Sequence, residues 1–325
     1  MHIAFSSLRF FMFGFCTAMA KLRAAFRAIA ILSFAACFLS AGCRTSDDAS
    51  AAATQMSATA KSLSAYYTAL DSILTDTNRI YVLNDRIIAK PYTAENRQLL
   101  KNNQAELEKR AALAAGFSTL ASQFAALTGS TAPADVAASA ANLETEVESL
   151  TSVTASTSEQ NALTIAVKAF VTAIQEHKER EAAKDMDDFA QGLTALFVKE
   201  SAVWNSVEAV HTQVAANLAL YLVDHDGVDT PALLKVALDP FELTPATPSD
   251  EMKAALTPLA RQQVEARKAA LDDSFEKATD AMTKSLQEMS KRIHTVAEDK
   301  PMAFRTPPAT VATVEKWAAG VATKQ

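Results

Sequence analysis

A stripe of apolar residues at helical spacing constrains this chain more than any other feature. Leu271, Phe275, Ala278, Met282, Leu286, Met289, Ile293 and Val296 span 25 residues in seven steps, about 3.6 residues per step. That is the period of a helix in a globular bundle, distinct from the 3.5-residue repeat of a strict coiled coil. Alanine is abundant, glycine is scarce and runs of alternating β-branched residues are few, so helix is expected throughout. The sequence predicts an all-α fold, an elongated bundle of long antiparallel helices with a short C-terminal amphipathic helix.

Other stripes place the remaining helices. Met56, Leu63, Tyr67, Leu70, Leu74, Thr77, Tyr81 and Ile88 predict a first helix over 55–88, ended by Pro91. Thr93 reads as the N-cap of a second helix that stops at Gly129. Its half from Leu113 to Leu127 is apolar on one face. Residues 95–110 are mostly polar, so the tip of this helical hairpin is expected to project beyond the bundle. Val136 to Leu150 forms a third stripe, broken by a Ser/Thr run over 149–158 whose hydroxyls compete for backbone hydrogen bonds. Residues 189–223 give the most hydrophobic helix, with Val203, Val207 and Val210 in its stripe. The charged segment 176–188 fits a turn or a continuous helix equally well. Residues 224–248 are irregular, with a short helix over 232–238. The last long helix reads from Pro258 with Thr257 as N-cap. After Pro307 and Pro308, Val311, Val314, Trp317 and Val321 line one side of a short helix expected to dock on the bundle.

Composition excludes several classes. The glycines beyond residue 42 are isolated, which rules out the clustered glycines of phosphate-cradling loops. Net charge is −6, and −10 without the four basic residues of 1–42, a poor balance for nucleic-acid binding. Cys16, Cys37 and Cys43 are the only cysteines, so residues 44–325 contain none and packing alone must hold the domain.

Candidate sites are few. Glu200 falls inside an apolar stripe, between Leu196 and Val203, and a buried carboxylate must be paired or protonated. It reads either as an ion pair with a base from another helix or as part of a pocket with Trp204 and His211. Glu208 and His211 have the Glu-x-x-His spacing of carboxylate-bridged metal bundles, but no second copy accompanies them, so no metal is expected. Asp224, His225 and Asp226 read as helix-ending residues. No Ser-His-Asp or Cys-His arrangement is visible, and an enzyme is not expected. Ile80 and Ile87 lie on the poorly covered edge of the hairpin and are candidate partner-surface residues.

The N-terminal region carries a localisation signal. Lys21, Arg23 and Arg27 precede an uncharged segment over 28–42, and Ser40, Ala41 and Gly42 lead to Cys43. The apolar core is shorter than the roughly 20 residues of a membrane-spanning helix. Basic start, apolar core and small residues before a cysteine form an export-signal pattern, and residues 19–43 resemble the signal peptide of bacterial lipoproteins. Leu39 stands four places before the cysteine rather than the usual three. Met19 opens a conventional signal and reads as the start in preference to Met1. The resemblance implies cleavage before Cys43, acyl chains including palmitate on that cysteine, and no other cofactor. Residues 1–42 are then signal peptide, 43–55 a lipidated tether and 56–325 the bundle domain. In such lipoproteins Asp after the cysteine retains the protein at the inner membrane, whereas Arg44 here favours the periplasmic face of the outer membrane.

The expected role is a non-enzymatic envelope scaffold or adaptor, with the membrane as partner through its anchor and another envelope protein through a helical surface. A ligand-sensing bundle with a pocket near Glu200 and a component of a helical membrane-active or secretion assembly are the alternatives. Cys43→Ser is expected to abolish fatty-acid labelling and to move the protein to the soluble fraction. Unchanged labelling and membrane partitioning would overturn the anchor.

Overall fold

The computed structural model describes residues 48–127, 133–150, 157–175, 179–242, 244–245, 247, 249–298, 300 and 306–323. Among them the chain is almost wholly helical and contains no strand. The helices are α1 (48–87), α2 (Ala94–Leu127), α3 (Pro133–Ser149), α4 (Thr157–Gln175), α5 (Glu179–Asp224), α6 (Lys235–Leu238), α7 (Asp250–Ala297) and α8 (Ala309–Ala322). Short 3-10 turns flank α6. The chain divides into two compact units, Met1–Asp48 and Ala49–Gln325, and the second holds the bundle. At about 1.5 Å per residue, α5 with its 46 residues and α7 with its 48 are each about 70 Å long. No helix of the described residues is long and apolar enough to cross a membrane.

The hairpin of α1 and α2 is held by a seam of small residues. Ser50 donates to the Ala125 carbonyl at 3.2 Å, Ser57 pairs with Ser118 at 3.0 Å, and Ser64 donates to the Ala111 carbonyl at 2.9 Å. The three serines of α1 are seven residues apart and their partners on α2 run backwards by seven, the register of two antiparallel helices in close contact. Only short side chains allow a hydroxyl on one helix to reach a carbonyl of the next.

Around this hairpin α3 packs on α2 and α4, α5 on α4 and α7, and α8 on α7. Tyr66 of α1 sits where helices converge. Its ring lies 5.4 Å from Phe197 of α5, 6.1 Å from Phe275 of α7 and 5.2 Å from Trp317 of α8, and its hydroxyl meets Thr279 at 2.8 Å. The Phe275 to Ile293 stripe of α7 is buried, and so are Val311 and Val314 of the docked α8.

Three expectations change, and one alternative left open over 176–188 is decided. Residues 48–55 are helix rather than tether, with Ala49, Ala52 and Ala53 buried. Their small side chains let α1 continue against α2, whereas their Ser/Ala/Thr composition alone reads as linker. Charged residues from 179 onward belong to α5, so α4 and α5 are distinct helices. The final long helix starts at Asp250, capped by Ser249, whose hydroxyl accepts from Met252 N at 3.3 Å. Pro258 lies inside it, and Thr257 donates back to the Lys253 carbonyl instead of capping. Burial of Leu256 and Ala260 on either side holds the helix together where proline removes a bond. Lastly, Val203 and Val210 are each 46% exposed, because α5 turns a different face inward beyond Phe197. The break expected at 91 is present; α3 ends at Ser149 and α4 begins at Thr157, with 151–156 of the Ser/Thr run outside the described residues. Gly129 and residues 1–47, with Cys43, lie outside the described residues.

Phe197 is fully buried between Tyr66 and Tyr67. Phe197→Ala is expected to lower the unfolding free energy by about 3–5 kcal/mol in chemical denaturation, through lost burial and the cavity left behind.

Candidate functional site

Three regions bear on function: a buried ion pair, a cavity beyond it on α5, and the hairpin tip.

Glu200 is 2% exposed and meets Arg110 of α2, which is 1% exposed. The guanidinium donates through Nε to Oε2 at 2.7 Å and through Nη2 to Oε1 at 2.6 Å, a bidentate geometry. Its Nη1 donates to the carbonyl and the carboxylate of Glu106 at 2.8 and 2.9 Å. Burial opposes the charge of Arg110, but the bonds from Glu200 and Glu106 outweigh it and hold its pKa above the usual value. Trp204, 1% exposed, places its ring 5.7 Å from the guanidinium, while its Nε1 finds no acceptor among the described residues. Burial, together with the negative charge of Glu200, pushes the neighbouring Tyr67 hydroxyl well above its ordinary pKa. Both oxygens of Glu200 and all three guanidinium nitrogens of Arg110 are engaged. The expected pocket of Glu200, Trp204 and His211 does not form, because Arg110 fills the space and takes both carboxylate oxygens.

The inward face of α5 continues with Trp204, Glu208 and Thr212, at steps of four. There the packing opens. A cavity of about 480 Å³ lies between α1, α5, α7 and α8, and His211 lines it while Glu200 and Trp204 do not. Its apolar walls include Ile73, Leu271, Phe275, Trp317 and Val321. Glu208, 6% exposed, is its most buried charged group. Burial, reinforced by repulsion from Asp272 and offset in part by Lys268, pushes the Glu208 carboxyl up to about 7. His211 Nδ1 is 2.8 Å from Thr77 Oγ1, which itself donates to the Ile73 carbonyl at 2.7 Å. The threonine oxygen therefore accepts, and the imidazole carries its proton on Nδ1. Burial lowers the His211 pKa, with Asp76 acting in the opposite sense. Glu208 and His211 do not join a metal cluster: among the described residues no group of three or more His, Cys, Asp or Glu is placed to hold an ion. Asp224 pairs with Arg261 at 2.8 Å, and the His225 ring stacks on Tyr221, so the Asp-His-Asp run serves the end of α5.

The tip of the hairpin is closed by an aromatic clasp. Tyr81 and Tyr92 stack at 5.2 Å, Arg97 lies 5.3 Å over Tyr92, and the Tyr92 hydroxyl donates to Asn78 at 2.6 Å. Ala89 takes a left-handed conformation that ends α1 before Pro91. Outside the clasp, Val82, Leu83, Ile87 and Leu99 are 41–60% exposed. Ile87 thus lies at the surface as expected, whereas Ile80 is partly covered. Trp317 packs on Tyr66 and Phe275, away from this tip.

No family model, curated protein or solved structure matches the chain.

The sequence marked Glu208 only as half of a Glu-x-x-His pair and gave no sign of its burial or of the cavity. The stripe of α5 was followed through Val203 and Val210, which puts Glu208 off the buried face. Arg110, in a polar stretch of α2, gave no sign that it was the partner of Glu200.

Glu200→Ala is expected to cost about 3 kcal/mol in denaturant unfolding, because Arg110 keeps only Glu106. The double change Glu200→Leu with Arg110→Met is expected to recover most of that loss, since a well-packed apolar pair carries no desolvation penalty.

Proposed function

We propose that the mature protein is a lipid-anchored, non-enzymatic scaffold or adaptor of the cell envelope. Cys43 carries the anchor at the periplasmic face of the outer membrane, and the tip of the α1–α2 hairpin engages another envelope protein. The observation that carries this reading is the tip itself. Leu83 and Ile87, one turn apart on α1, stand exposed with Val82 beside them, on a hairpin whose end is ordered by the Tyr81–Tyr92 stack. An ordered apolar surface away from the core is what a protein–protein contact uses. The filled site at Glu200 supports the same reading, since the core there leaves no room for a ligand. Arg44 after the cysteine supports the outer-membrane location.

Photo-crosslinkers at Leu83 and Ile87 are expected to yield adducts with another envelope protein in cells. Leu83→Glu and Ile87→Glu are expected to remove adducts formed from a crosslinker at Leu99, while stability changes by no more than about 0.5 kcal/mol. Persistent adducts would overturn the role of the tip. A large loss of stability would assign these residues to the core instead.

A further inference from the structure

The cavity beyond the ion pair has a charge arrangement that singles out one class of ligand. Its deep wall holds Glu208, 6% exposed, and no hydrogen bond or ion pair within 4 Å reaches that carboxylate among the described residues. Asp272 stands near it on α7 and is engaged by Lys268 at 2.7 Å through Oδ2, with the Thr212 hydroxyl as a second hydrogen-bonding neighbour. Two carboxylates therefore share one cation. The remaining charges that line the cavity are Asp76, half-buried, and Arg267, Lys277 and Lys316, all exposed at the mouth. Lys277 is turned to Asp273 at 2.6 Å. The cavity is thus negative at depth and basic only at its rim. Tyr66, whose hydroxyl is bonded to Thr279, adds no positive charge, and the His211 imidazole is kept neutral by burial.

The rest of the wall is apolar and aromatic. Phe275 and Trp317 are 5.5 Å apart by ring centroids, with Leu271 and Val321 beside them. The volume of about 480 Å³ falls in the range of small-molecule sites. An alanine-rich groove between α5 and α7 shares Thr212, Arg267 and Leu271 with the cavity and extends its apolar surface.

We propose that this cavity is a binding site for a small organic monocation, an amine with an aryl or alkyl body, whose ammonium group pairs with Glu208. The ammonium supplies the missing positive charge and donates charge-assisted hydrogen bonds to a desolvated carboxylate. Phe275 and Trp317 give the body that follows the ammonium an aromatic, apolar wall. A carboxylate ligand of the same shape would meet Glu208 at depth and is rejected by repulsion. The site is distinct from the hairpin tip, so it stands or falls independently of the adaptor reading.

Gly320 provides a test that leaves the carboxylate untouched. It shares a face of α8 with Thr313, Lys316 and Trp317 in the cavity wall, and a Cβ added there meets nothing within 4 Å. Calorimetric titration of the full-length protein in detergent, at about pH 8 where Glu208 is ionised, would use 2-phenylethylamine as probe and 3-phenylpropionate as its anionic counterpart. The amine is expected to bind saturably with a dissociation constant below about 1 mM, and the carboxylate at least about tenfold more weakly. Glu208→Gln and Gly320→Leu are each expected to weaken the amine by about tenfold or more while the far-UV helical signal is retained. Should Glu208→Gln fail to fold, Gly320→Leu alone decides. Absence of saturable amine binding, equal binding of the carboxylate, or wild-type affinity in a folded variant overturns the proposal.

Discussion

The bidentate contact between Arg110 and Glu200 sets the rotation of the helices that carry it. An ion pair this deep cannot tolerate a half-turn of slippage, because either partner left alone would be a charge in a low-dielectric core. Once Glu200 faces α2, Trp204, Glu208 and Thr212 follow it inward at steps of four, and Val203 and Val210 are carried outward. Two exposed valines are a small cost beside an unpaired guanidinium. The pair itself is costly to desolvate, so its value is in specifying how α2 and α5 meet more than in raw stability.

That rotation also decides where the core is full and where it is open. Above the pair, Tyr66 and Phe197 pack ring against ring, and Phe275 packs on Tyr66 while forming one wall of the cavity. About two to three turns beyond Glu200 along α5, the inward residues are Glu208 and Thr212, and α8 reaches across with Trp317 and Gly320. The side chains that line the gap on α1, α5, α7 and α8 do not fill it. α1 then passes from the wall of this cavity, at Ile73 and Asp76, to the exposed Val82, Leu83 and Ile87 in about two to three turns. The two surfaces proposed to act, one for an amine and one for an envelope protein, are neighbours on one helix but are built differently. The cavity has desolvated charge, and the tip has exposed apolar side chains ordered by an aromatic stack.

The serine seam between α1 and α2 shows why a polar-looking composition can still be structural. Ser50, Ser57 and Ser64 repeat every seven residues, and each meets a partner on α2. Read singly, they resemble linker or surface residues. In the fold they are the reason two helices approach closely enough for hydroxyl-to-carbonyl bonds.

Local pattern alone determined the fold class. The 3.6-residue stripe of α7, the proline ends near 91 and 307, the N-cap at Thr93 with its bond to Asn96 N, and the buried face of α3 follow from spacing and from single-residue chemistry. The cysteine that closes the apolar segment at 43 is likewise legible in sequence and sets the expectation of a lipid anchor. Glu200 could be marked as a charge inside an apolar stripe, with a base from another helix among its possible partners. What only the tertiary structure decided is which base that was, where α5 turns its face, and that α7 runs through Pro258. Each depends on contacts between residues far apart in the chain: Arg110 with Glu200 is a pair separated by 90 positions. Periodicity reports what a helix can bury, but the partner across the interface selects which of two competing faces it does bury. The cavity beside Glu208 is the product of that selection on four helices at once, and no one of their sequences contains it.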